Sequence, residues 1–168
     1  MPPPPLTEPA DQLLHLAVEF ETLHARVRDV SYTPGSDGLR QVTPLLLISH
    51  DLTATALVRL RALDNSPGTT IIGSRSGREL MVSVAFFAAR ASADLAHALL
   101  ANPAEDAPNP VKPADEPSVR NAVLAEAIAT MTGHLADALH HLDLSATGCH
   151  TVAAAVRDAT ATAQPAPS

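Results

Sequence analysis

The run Leu80–Ala101 restricts the possible folds of this chain more than any other segment. It has the length of a helix and is apolar on almost every side. At about 100° per residue, Leu80, Val84, Phe87, Ala91, Leu95 and Ala98 form one face of larger side chains, and Ala85, Ala89, Ala93 and Ala96 form a second face of small ones. Glu79, Ser83, Arg90, Asp94 and His97 occupy the polar stripe between them. A helix wetted over so little of its circumference is expected to be surrounded by other helices.

Composition points the same way. Aromatics are 2% of the 168 residues and Trp is absent, so aliphatic and alanine side chains must build the core. Leu, Ala, Arg and Glu favour helix, and the β-branched and aromatic clusters of strands are scarce, which predicts an all-α chain. A chain of this length suits one domain with its own core.

Helical periodicity recurs on both sides of the central run. Thr7 is a candidate cap for a first helix, with Glu8 and Pro9 in its opening turn. Leu13, Leu16, Phe20, Leu23, Val27 and Val30 then alternate by three and four residues, a seam suited to shallow packing in a bundle. Ser31–Gly38 reads as a turn-rich break, and Thr43-Pro44 as the cap and first residue of a second helix. Leu45, Ile48, Leu52, Ala56, Leu60 and Leu63 form the main face of that helix. Leu46, Leu47, Leu57 and Val58 spill onto a second side, more than an outer bundle helix needs. Those four residues are the candidate interface for self-association or for another protein.

Asp64–Gly68 ends the second helix, and Ser76-Gly77-Arg78-Glu79 has the form of a capping box that starts the central one. The proline-rich segment 102–117 is expected to be coil. A fourth helix from about Ser118 to Asp143 should turn Leu124, Ile128, Met131, Leu135, Ala138 and Leu142 inward. At Leu144–Gly148 either Ser145 caps a further helix or the fourth one continues. The expectation is a four-helix-bundle-like domain over 7–161 with an additional short C-terminal helix. Proline-rich disordered tails are expected at 1–6 and 162–168. Up-down-up-down topology is favoured, and the long third connection leaves a parallel crossover open.

Several residues carry possible chemistry. Asp94-x-x-His97 and His134-x-x-Asp137, with His141 a further turn on, have the carboxylate–imidazole spacing with which bundles present metal ligands. If the third and fourth helices are adjacent and antiparallel, His97 falls beside the start of the fourth, roughly 20 Å from His134 at ~1.5 Å per residue, and the sets cannot meet; if they are parallel, the levels match. Solvated helix faces account for the same residues. Arg90 and Asp94, four apart, are expected to pair on an exposed stripe. Arg75, Ser76 and Arg78 precede or open a helix and could hold an anion, although a capped helix start explains them more simply. Cys149 beside His150 has the residue types of a nucleophile and base, but adjacent helical side chains point about 100° apart.

The net charge of −7 opposes nucleic-acid binding, which needs a basic surface. A single cysteine excludes an intrachain disulfide. The start Met-Pro-Pro-Pro-Pro-Leu-Thr-Glu lacks the basic and apolar parts of a secretory signal, and charges interrupt Leu80–Ala101, so neither export nor a membrane span is expected. One lysine against ten arginines, with abundant alanine and proline, has the look of a high-GC genome. The sequence therefore points to a cytoplasmic, non-enzymatic interaction or structural protein without a cofactor. The alternative is a metal- or ligand-binding bundle, with enzymatic activity open, that uses Asp94/His97 and His134/His141.

Overall fold

A computed structural model describes residues 9–64, 75–104 and 117–163, and among them every regular element is helical. The elements are α1 (Pro9–Arg28), α2 (Ser36–Asp64), α3 (Arg75–Ala101) and α4 (Pro117–Ala163). Each helix packs on its two ring neighbours, α1 on α2, α2 on α3, α3 on α4 and α4 on α1. The expected all-α four-helix bundle is therefore present. Thr7, the expected tail at 1–6, residues 164–168 of the expected tail at 162–168, residues 65–68 and residues 105–116 of the linker lie outside the described residues, and Thr162 and Ala163 of that second tail are the end of α4.

Cross-helix contacts fix the direction of each neighbour. Gln12 Oε1 accepts a hydrogen bond from Arg59, and Ser49 meets Ser92, while Asn102 bonds Gly35. On the other side His97 meets His134 and Val84 meets Gly148, and Asp11 and Glu21 meet Arg157 and His150. In the α2–α3, α3–α4 and α4–α1 pairs the partner's numbers fall as the first rise, and those three directions make α1 antiparallel to α2 as well. All four neighbouring pairs are antiparallel, and the topology is up-down-up-down.

The seam on α1 is buried as its spacing predicts, with Leu13, Leu16, Phe20, Leu23 and Val27 all at 2% exposure or less. Helix α2, however, begins at Ser36, about two turns before the predicted Thr43-Pro44 start, and carries Pro44 in its interior. The earlier start has a visible cause. Gly35 takes a φ of 106°, a left-handed value that glycine adopts without penalty, and reverses the chain. Asp37 then accepts hydrogen bonds from the Thr33 backbone N–H (2.8 Å) and from Arg40 (2.8 Å). These bonds, the backbone one first, hold its carboxyl down at about 2. Asn102 grips Gly35 from both sides, accepting from its N–H and donating to its carbonyl, each at 2.8 Å. Pro44 leaves the Arg40 carbonyl without its usual helical donor, a loss tolerated on the exposed side of the helix.

Helix α4 corrects two further expectations. It runs unbroken through Leu144–Gly148 for 47 residues, so the expected short C-terminal helix is its continuation. It is also far longer than its partner α3, at roughly 70 Å against roughly 40 Å. Level with Leu100 on α3, α4 has reached only about residue 131. Residues 117–130 project past the end of α3 as an arm roughly 20 Å long at ~1.5 Å per residue. Leu124 and Ile128 lie on this arm, and they are 40% and 42% exposed rather than inward. Met131, where the arm meets the bundle, is buried, and the predicted inward face holds from there on.

Helix α3 is likewise less enclosed than its composition predicts. Met81, Val84, Ala88, Ala91, Leu95 and Ala98 are buried, but Val82, Phe86, Ala89 and Leu100 look outward. Among the described residues it has two helical neighbours, and its outer side is uncovered. Within α3, Gly77–Ala101 is long and apolar enough to cross a bilayer by length and composition, and 44% of its apolar window is packed inside the bundle.

The α3–α4 contact is close because both surfaces are small. Ala88 and Ala91 on α3 and Ala138, Ser145 and Gly148 on α4 are buried small residues, and Ser145 and Gly148 both meet Val84. A Cβ on Gly148 would stand 2.5 Å from Cγ2 of Val84, a short β-branched side chain with little freedom to yield. A Cβ on Gly133 would meet nothing within 4 Å. The same substitution should therefore have opposite signs at two positions about four turns apart on α4. Gly133→Ala should stabilise by about 1 kcal/mol through helix propensity alone. Gly148→Ala should destabilise by ~1–3 kcal/mol through overpacking, and Val84→Ala in the same chain should recover most of the loss. Urea denaturation of the three variants checks both signs.

Candidate functional site

The polar residues that the sequence singles out gather on the α3–α4 seam. Asp94, on α3, is 5% exposed, so it lies inside the seam rather than on an open stripe. It does not pair with Arg90. Instead His141 Nδ1–H of α4 donates to Asp94 Oδ2 at 2.6 Å, and both side chains are largely buried. Arg90 points to solvent. A buried carboxylate needs a partner, and the neighbouring helix supplies a nearer one than the next turn of α3 does. Phe87 stacks on the His141 ring, with centroids 6.0 Å apart and planes 16° apart. That sandwich fixes the imidazole between an apolar ring and an ionisable acceptor.

One turn along α3, His97 meets His134, with ring centroids 5.3 Å apart. This corrects the expectation that antiparallel packing keeps these two roughly 20 Å apart at ~1.5 Å per residue, which places the start of the fourth helix beside His97. The arm removes that obstacle by carrying the first turns of α4 past α3, so that His134 arrives level with His97. The four groups nevertheless form two pairs. Asp94 and His97 are separated by ~4.5 Å of rise and His134 and His141 by ~10.5 Å, so the two ladders have different rungs. Asp137 is exposed and stands outside both pairs. Among the described residues, no group of three or more His, Cys, Asp and Glu side chains converges as metal ligands.

The Asp94–His141 pair has the orienting half of an acid–base device, a carboxylate fixing an imidazole. A nucleophile beside it is what such a device would need. Ser145, one turn on, turns its hydroxyl back to the His141 carbonyl at 3.0 Å and to the Val84 carbonyl at 3.4 Å. Cys149 is fully buried, and burial pushes its thiol up to about 12. His150 points to the other side, where its Nε2–H donates to Glu21 at 2.8 Å. A cleft between α1 and α2, lined by Leu13, Arg59 and Leu63 among others, has a volume of about 40 Å³. That is below the ~300–1,000 Å³ of typical ligand pockets.

The remaining candidates lie at the surface. Arg75 and Ser76 open α3 but their side chains lie outside the described set, and Arg78 is exposed. On α2, Leu47, Leu57 and Val58 are 61%, 52% and 62% exposed, whereas Leu46 is half-buried and packs against the core. His50, Asp51 and Arg61 share that arc of α2, so its apolar surface is interrupted by charge.

Two apolar surfaces were not singled out from the sequence. The outer side of α3 carries Val82, Phe86, Ala89, Ala93, Ala96 and Leu100 at alternating spacings of four and three, with no charge in the arc between Val82 and Leu100. The arm of α4 carries Val119 and Val123, 52% and 59% exposed, beside Leu124 and Ile128. Of these residues, only Ala89, Ala93, Ala96, Leu124 and Ile128 are given to internal packing from the sequence, and the rest are not singled out there. No protein-family model matches this chain, and neither the curated proteins nor the solved structures contain one similar to it.

Two outcomes follow from this geometry. Asp94→Ala strands the His141 donor inside the seam and should cost about 1–3 kcal/mol in urea denaturation, while Asp94→Asn, which keeps an acceptor, should cost less. Cys149 should react with a thiol reagent only as fast as the chain unfolds, so the labelling rate should rise with denaturant.

Proposed function

We propose that this chain is a non-enzymatic helical-bundle protein of the cytoplasm that works by binding protein, with a second copy of itself as the first partner. The observation that carries this reading is the arm of α4. It is a helical extension with no neighbour along its length among the described helices, and four large apolar residues on it are exposed. Contiguous apolar surface of this kind marks interaction sites, whereas scattered surface leucines do not. The outer side of α3 adds to the same reading, whereas His50, Asp51 and Arg61 interrupt the Leu47, Leu57 and Val58 patch of α2. The net charge of −7 disfavours nucleic acid as the partner.

Sedimentation velocity across the micromolar range is the direct test. A species heavier than the 17.5 kDa monomer is expected, with its fraction growing with concentration. A lone 17.5 kDa boundary throughout that range overturns self-association.

A second reading, a metal- or ligand-binding bundle, draws support from the approach of His97 to His134 beside the Asp94–His141 pair. Two imidazoles at that separation can share an ion whose other positions are filled by water. Calorimetric titration with zinc separates the readings. Binding that disappears in both His97→Ala and His134→Ala supports the second, and a flat titration removes it.

A further inference from the structure

We infer that the arm of one copy lies along the outer side of α3 of a second copy, and that the contact is made twice about a two-fold axis. This inference rests on the self-association reading and specifies its surfaces. The chain carries both halves of such a contact. Among the described residues, 117–130 are a helix without a surface to lie on, and Val82–Leu100 is a surface without a helix to cover it.

The two halves match in chemistry. Val119, Val123 and Ala127 form a row at four-residue spacing, with Leu124 and Ile128 in a second row beside it. The two rows together span about half the circumference of the arm, with Arg120 between them at its far end, where a long side chain can carry its charge past the contact to solvent. The α3 stripe has bulk at Val82, Phe86 and Leu100 and small residues at Ala89, Ala93 and Ala96 between them. That shallow centre lets another helix approach closely.

Position matches as well. The arm leaves the bundle at the end of α3 where Leu100 is 81% exposed. A two-fold axis through that end places each arm beside the partner's α3 with no rearrangement of either bundle. The contact is then isologous and closed, which limits assembly to a dimer. The arm is roughly 20 Å long and the stripe roughly 27 Å at ~1.5 Å per residue, so the arm is accommodated along its whole length.

The area is sufficient. Half the surface of a helix roughly 20 Å long and ~10 Å across is about 300 Å². Two arms on two stripes therefore remove ~1,200 Å², the lower edge of specific interfaces. The α2 patch fits a second copy less well, because His50, Asp51 and Arg61 lie among its apolar residues and would be buried with them.

The test compares Val123→Glu, Phe86→Glu and Leu47→Glu in the full chain by sedimentation. All three side chains stand at the surface, or nearly so in their exposed fraction, and circular dichroism confirms that each variant is folded. The inference expects a wild-type dimer, at least a tenfold weaker dimer in Val123→Glu and Phe86→Glu, and no change in Leu47→Glu. A photo-cross-linking residue at position 123 should mark peptides from 82–100 of another copy. A dimer that survives Val123→Glu, or one lost only in Leu47→Glu, overturns this arrangement and leaves self-association standing. A wild-type chain that remains monomeric, whether free or floating with lipid vesicles, overturns the self-association reading itself.

Discussion

Close approach of α3 to α4 is the constraint on which the rest of the molecule depends. With three Phe, one Tyr and no Trp, the chain has few large rings with which to fill space between widely separated helices. Interaxial distance is set by the side chains at the contact, and small ones bring helices to the short end of the range. Gly148 against Val84, and the alanines around them, allow that approach. Hydroxyls follow from it. Ser145 reaches the Val84 carbonyl, and Ser49 bonds Ser92 at 2.8 Å across the α2–α3 seam, which such short side chains do only when the backbones are near. The core is therefore assembled from many modest contacts, and its specificity comes from fit rather than bulk.

Fit of that kind leaves register to be settled by something directional. Asp94 and His141 serve this purpose on the α3–α4 seam. A buried ionisable pair is a poor source of net stability, because desolvation offsets most of its attraction. Sliding α3 by one turn, however, would leave both groups buried and unpaired. At the other seam Asn102 acts similarly, since its amide matches both backbone groups of Gly35, 67 residues away. That clasp also crowds Gly38, where a Cβ would stand 2.6 Å from Asn102 Oδ1. Polar groups in this bundle thus specify which surfaces meet, while apolar groups hold them together.

What was legible in the sequence divides along the same line. Periodicity alone located the α1 seam, the inner faces of α2 and α3, and the inward residues of α4 from Met131 to Leu142, because burial repeats with the helical period. It misplaced the start of α2, where Thr43-Pro44 had the form of a cap. The competing signal, Gly35 with Asp37 two residues on, gains its strength from Asn102, and a contact across 67 residues leaves no local trace. The Asp94/His97 and His134/His141 sets were legible as residues, and their meeting was not. Periodicity fixes the face a residue occupies, and helix lengths fix the level. The ends of α3 and α4 are not flush, which shifted every level along the pair.

That offset also explains why large apolar residues lie outside. A seam built from alanine, serine and glycine has no room for Phe86 or Val82, so the bulky side chains of α3 that are not inward sit on its bare side. Helix α4 has the opposite imbalance. Its apolar pattern extends from Val119 to Val156, yet α3 and α1 cover it only from Met131 onward. Burial of helical surface supplies most of the stability of a helix in water, and a segment such as 117–130 gains little of it alone. An uncovered arm and an uncovered stripe at the same end of one bundle are two halves of a single deficit. A partner that covers one and is covered by the other satisfies both without altering the packing within either copy.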